Sequence, residues 1–181
     1  MDYYKLYVSL SFAIGLIGLL LGGLNFFLSE KNIGFAEKLC RNHKFGVMVW
    51  FACLAWCVPH TEVIIFSSLV PYLWYIAVII AILSYFYLDF LMARAFAASL
   101  IIGGYYILHS AFDYHSKMAV LLSIVAWLIG IAGIIFSAKP SYLRDLLRIS
   151  AKNCRIKYLI SIVISVFSLL LIGNGILELM K

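Results

Sequence analysis

Histidines, carboxylates and cysteines are the residues of this chain that could do chemistry, and they are few. His60 and Glu62 stand together after one apolar run, while His109, Asp113 and His115 stand after another. Imidazole nitrogens and carboxylate oxygens are the ligands a zinc-like ion uses, and the i, i+4 spacing of His109 and Asp113 brings both to one helix face. His60, His109, Asp113 and His115 are therefore the candidate metal set, with Cys57 as a soft ligand beside His60. The plainer reading is that these are polar residues ending apolar spans, since no compact ligand motif such as HExxH is present.

Cys53 and Cys57 lie four apart, where side chains on a regular helix stack in parallel, so they are expected to pack as small apolar groups rather than form a disulfide. Bis-histidine haem needs imidazoles at matched depth on facing spans, and only His60 and His109 approach that arrangement. There is no Ser/His/Asp set, glycine-rich phosphate loop or nucleophile elbow in the sequence. The residues point away from catalysis. No cofactor is expected, with a metal or haem as the minor alternatives.

The elements that must position these residues are membrane helices. Across 181 residues the chain is 65% hydrophobic and only 12% charged, with a mean hydropathy of +1.05. That composition lies far outside the soluble range. The apolar runs do not alternate as barrel strands would, so the fold class expected is an all-α integral membrane protein, a single six-helix transmembrane bundle. Its spans are expected at about 6–28, 45–61, 63–86, 91–111, 118–137 and 158–177, making residues 1–181 one domain. The second span is short, and Pro71 is expected to kink or restart the third; whether 63–70 crosses or is re-entrant stays open. Arg94 is expected to snorkel or to meet Asp89 across a tight turn.

Two connectors carry most of the positive charge. In Pro140–Lys157 the residues Leu143, Leu146, Leu147, Ser150, Ala151 and Cys154 share one helical face, and Arg144, Arg148, Lys152 and Arg155 share another. Pro140 and Ser141 suit a helix entrance, with the serine able to cap. Ser29–Lys44 repeats the pattern with Lys38, Arg41 and Lys44 among its basic residues. Like charges at such spacings repel, and an anionic headgroup surface offsets this at about 1 kcal/mol per basic residue. Both connectors therefore read as basic amphipathic interfacial helices. A shift of 111 lays Arg41-Asn42-His43-Lys44 over Lys152-Asn153-Cys154-Arg155; an internal duplication is one reading, and convergence on one interfacial need is the simpler one.

Orientation follows from counting cations. Lys31, Lys38, Arg41, Lys44, Arg94, Lys139, Arg144, Arg148, Lys152, Arg155 and Lys157 fall on one side of a six-span chain, against Lys5, Lys117 and Lys181 on the other. The positive-inside rule then sets the connectors in the cytoplasm and both termini outside, in a cytoplasmic (inner) membrane. Cys40 and Cys154 would face a reducing compartment as free thiols. The charge of +6 sits beside apolar spans, which points to membrane lipids of the anionic inner leaflet and not to nucleic acid.

Within the spans, Gly15, Gly18 and Gly22 allow close approach of another helix, in the bundle or across a dimer seam. Asn25 and Gly173-Asn174-Gly175 are the irregular polar points. The leading reading is a non-enzymatic accessory or scaffold component that packs with lipid, with membrane protein partners or with a second copy. The alternative is a small transporter or channel, its cavity near Pro71 and a helix break at Gly173-Asn174-Gly175. The outward-facing metal or redox site is the third.

Overall fold

The computed structural model describes residues 3–30, 32–60, 70–116 and 118–180, without the side chains of 3–6 and 60. Among these residues there are helices and turns and no strand. In chain order the helices are α1 (Tyr3–Phe26), α2 (Ile33–Cys40), α3 (His43–His60), α4 (Val70–Tyr87), α5 (Leu91–Asp113), α6 (Ala119–Ala138), α7 (Ser141–Lys152) and α8 (Cys154–Leu179). Five of them, α1, α4, α5, α6 and α8, are long and apolar enough to cross a membrane. This supports a helical multi-pass membrane protein, because a helix satisfies its own backbone where lipid offers no hydrogen-bond partner. The remaining expected span, 45–61, corresponds to α3, a shorter apolar helix.

Differences from the expected spans are local. Pro71 is the second residue of α4 as described from Val70, a first-turn position in which proline's missing N–H is tolerated, and the residues before it lie outside those described. Pro59 lies in the last turn of α3. The question of a re-entrant 63–70 segment falls mostly on residues 61–69, outside those described, as do Glu62, Lys31 and Lys117. Ser141 starts α7 without a side-chain cap; Pro140 occupies the cap position. Arg94 donates to the carbonyl of Ser137 on α6 at 3.4 Å instead of pairing with Asp89. The sixth expected span is met by α8, which runs unbroken through Gly173-Asn174-Gly175, where the transport alternative placed a helix break.

α5 is the central strut, packed against α6 on one side and α3 on the other. Small residues make this approach close: Ala93, Ala95 and Ala97 are each at most 1% exposed. A Cβ added at Gly104 would meet the Ala126 carbonyl at 2.9 Å, and one at Gly133 would meet that of Ala97 at 2.9 Å. At the start of α3, a Cβ on Gly46 would come within 2.7 Å of the Met92 amide. α4 packs on α3, and α1 pairs with α8 across nearly the whole sequence. Ile107 and Ala111 of α5, Leu122 and Ala126 of α6 and Leu171 of α8 form a buried cluster that joins the two groups, with Ile14 of α1 against it. Large apolar side chains such as Leu20, Ile79, Phe86, Val120, Trp127 and Ile162 stay exposed around the outside, as a lipid-facing surface requires.

α2 and α7 lie against each other. Each is followed by an asparagine that starts the next helix: Asn42 Oδ1 accepts from the Phe45 amide at 3.2 Å, and Asn153 Oδ1 from the Arg155 amide at 3.2 Å. These two caps occupy equivalent places in the 111-residue shift noted in the sequence.

Candidate functional site

Three groups of side chains could carry function: those at the turn between α5 and α6 with the polar cluster beside them, those gathered on Asn25 where α1 meets α7 and α8, and the basic surface of α2 and α7. At the turn, the i, i+4 spacing does bring His109 and Asp113 together, with Nδ1 and Oδ2 2.7 Å apart and both side chains more than half exposed. His115 is turned to its own backbone, with Nδ1 2.9 Å from the Phe112 carbonyl and a left-handed φ of 49°. The His60 side chain is outside the described residues. Cys53 Sγ lies 3.3 Å from Ser99 Oγ on α5, whereas Cys57 is exposed, so the two thiols of α3 have different surroundings. Among the described residues no three His, Cys, Asp or Glu side chains gather in a way that could hold a metal ion. All four cysteines are free thiols.

The same end of the molecule holds a buried polar cluster. Asn174 is 1% exposed; it accepts from Ser116 Oγ at 2.6 Å and donates from Nδ2 to the Tyr7 hydroxyl at 2.6 Å. Tyr7 is 1% exposed and stacks on Tyr114 with ring centroids 5.3 Å apart. Glu178, 2% exposed, sits one turn beyond Asn174 and close enough to act on Tyr7 electrostatically. The cluster ties α1 and α8 to the α5–α6 turn. It also explains why α8 does not break: the Asn174 amide finds its partners sideways, and Gly175 makes room for Phe12, whose ring carbon would lie 2.9 Å from an added Cβ. An open apolar groove of about 470 Å³ lies between α3 and α4 against Met48, Phe51, Ile82 and Phe86.

The glycine face of α1 is spent on α8. A Cβ at Gly15 would meet Ile172 at 2.7 Å and the Ser168 carbonyl at 3.0 Å, one at Gly18 would strike Ser168 Oγ, and one at Gly22 would meet Ser165 Oγ at 3.0 Å. Below this seam Asn25 acts as a hub. Its Nδ2 donates to Ser161 Oγ at 2.9 Å and to the Lys157 carbonyl at 3.3 Å, and its Oδ1 accepts from Ser150 Oγ of α7 at 2.8 Å. Lys157 Nζ closes the corner on the Leu28 carbonyl at 3.3 Å.

The third group is the basic surface of α2 and α7. Arg148 grips Glu37 through both its Nε and its Nη2, the latter 3.1 Å from Oε2. That guanidinium, helped by Arg144 and Arg41, holds the Glu37 carboxyl below its ordinary pKa. Burial pushes the Cys40 thiol up, and Glu37 adds to the shift. Arg144 spends its Nε and one Nη on Asp145 at 3.2 and 3.0 Å. Lys38, Arg41, Lys44, Lys152 and Arg155 make no ion pair among the described residues; Arg41 instead sits over the Phe90 ring at 5.6 Å. Phe35, Leu39, Leu146 and Ile149 are exposed on the same two helices.

Sequence reasoning singled out the two asparagines and the basic residues but missed what they touch. Asn174 and Glu178 were readable as an i, i+4 pair on one face, and the 111-residue shift sets Glu37 against Arg148, an opposite-charge pair. Tyr7 reads in the sequence only as one of the tyrosines near span ends, and nothing there flagged Ser116 or Phe90. No protein-family model matches the chain, and no curated protein and no solved structure matches it.

Proposed function

We propose that this chain is a six-crossing protein of a bacterial-type cytoplasmic membrane, with both termini outside. In this reading it is a non-catalytic accessory or scaffold component whose α2 and α7 lie on the anionic inner leaflet and whose lipid-facing spans pack with lipid and with membrane protein partners or a second copy. The observation that carries it is the contact between α2 and α7. Two connectors at one end of a bundle are separated by an even number of crossings. Three long apolar helices, α4, α5 and α6, stand between them, so α3 is required as the fourth. Its 18 residues reach roughly 27 Å against a hydrocarbon core of about 30 Å, a mismatch that modest local thinning absorbs. Exposed apolar residues beside unpaired cations on both short helices support an interfacial position.

The scaffold reading is favoured over transport by the use already made of the polar groups. Both ends of the Asn174 amide are bonded inside the protein, and the groove between α3 and α4 is lined by apolar residues and Tyr85. Sidedness is tested with an impermeant thiol reagent. Cys154 is expected to react in inverted vesicles and not on intact cells, and a cysteine replacing Phe112 is expected to do the reverse; reaction of both from one side ends the six-crossing reading. Activity is tested in proteoliposomes, where steady flux of ions or small polar solutes through the purified protein would replace the scaffold reading with transport.

A further inference from the structure

The turn between α4 and α5 ends in a residue whose backbone is out of keeping with its type. Phe90 has φ 56° and ψ 39°, the left-handed region where an L side chain is strained and glycine is the usual occupant. Its ring is faced by two guanidinium groups from opposite halves of the sequence, Arg41 of α2 at 5.6 Å and Arg144 of α7 at 5.8 Å from the centroid. Two cations at most about 11 Å apart repel, and the ring quadrupole offsets only part of that. The nearby carboxylates are largely committed: Glu37 takes Arg148, and Asp145 takes two N–H groups of Arg144. Arg144 keeps three N–H donors, and Arg41 has no carboxylate partner among the described residues. One turn along, Arg94 bonds the Phe90 carbonyl through its backbone amide, and its Nε is buried without a hydrogen-bond partner.

The geometry points to a discrete binding site for one anionic phospholipid headgroup, its phosphate received by Arg41 and Arg144 where they converge on Phe90. Strained residues held in place by their surroundings recur at ligand clamps, and here the strain aims the ring that orients both guanidiniums. Arginine suits the task because its planar fork can stack on an aromatic face and still present donors to phosphate oxygens. A lipid fits better than free phosphate because the segments that carry the two arginines also expose Leu39 and Leu146, apolar groups suited to acyl chains while the cations take the headgroup. The inference rests on α2 and α7 lying at the inner leaflet.

The test is native mass spectrometry of the full chain in mild detergent, titrated with phosphatidylglycerol, phosphatidylcholine or inorganic phosphate. The wild type is expected to retain one phosphatidylglycerol saturably. The charge-preserving pair Arg41→Lys with Arg144→Lys is expected to weaken that binding on the order of tenfold, since the stacked forks are lost. Lys152→Gln with Arg155→Gln, equal in number but away from Phe90, is expected to stay within about twofold. Phe90→Gly relieves the left-handed backbone, so it is expected to melt no lower than wild type while losing the lipid adduct. Unchanged affinity in the lysine pair, equal retention of phosphatidylcholine, or retention of inorganic phosphate in place of lipid would each overturn the site. Thiol labelling of Cys154 separates the two levels: labelling from outside intact cells removes the inner-leaflet reading itself, whereas correct sidedness without an adduct removes only the site.

Discussion

At the scale of single residues, two asparagines in apolar spans do unequal work at opposite ends of one helix pair. Asn25 serves α1, α7 and α8 at once, so replacing it by alanine strands the Ser150 and Ser161 hydroxyls. Asn25→Ala is expected to cost roughly 1–3 kcal/mol, read as a lowered midpoint of unfolding in detergent, with part recovered when Ser150→Ala removes the stranded donor as well. The glycines differ in the same residue-by-residue way. Gly15→Val drives a side chain into Ile172 and the Ser168 backbone, which cannot rotate aside, and is expected to destabilise by about 1–3 kcal/mol. Gly23→Ala meets nothing within 4 Å and is expected to be neutral or to gain up to about 1 kcal/mol from helix propensity. Thermal unfolding of the two variants side by side decides whether the α1 stripe is a packing seam or a surface.

At the scale of elements, the pairing of α2 with α7 is electrostatic at its rim and therefore pH-dependent. The Glu37 carboxyl has a folded pKa below its ordinary value because Arg148 donates to it. Its contribution is full above the ordinary glutamate pKa and is lost as pH falls through the depressed value. A nitroxide at Gly34, where a side chain meets open space, is expected to report α2 as ordered at neutral pH and loosened in that acidic window. Glu37→Gln should abolish the pH response without abolishing the helix. The two short helices themselves were legible in sequence because charge and apolar residues separate at a period of 3.6. Their mutual contact was not, since periodicity tells which face a helix buries and not which neighbour receives it. The end of α4 and the start of α5 show the same limit: the turn near Asp89 was visible, but the left-handed Phe90 has no compositional sign, being neither Gly nor Asn. The Gly173-Asn174-Gly175 break failed because local permission to unwind was outweighed by three partners, Tyr7, Ser116 and Phe12, that reward a continuous helix.

For the whole molecule, five long apolar helices and the polar gaps between them were legible because lipid tolerates few alternatives to a helix. The assembly order was not. The helices group as α1 with α8 and as α4 on α3, α3 on α5 and α5 on α6, and the groups meet through the Ile107–Leu171 cluster and the Tyr7–Asn174–Ser116 contacts. Those contacts fasten one end of the joint, so Asn174→Val with Ser116→Ala is expected to loosen one group from the other before either melts. Hydrogen exchange should then rise along α1 and α8 by a larger factor than along α5 and α6; a uniform rise would mean that the bundle is one cooperative unit.

The partnership of the first long helix with the last has a price in time. During synthesis at about 5–20 residues per second, α1 enters the bilayer on the order of 10 s before the ribosome has finished the helix that fills its glycine notches. For that interval its small-residue groove is open to any passing span. A chain interrupted before Cys154 would leave the groove open permanently, and such fragments are expected to cling to foreign helices and to be cleared by membrane proteases.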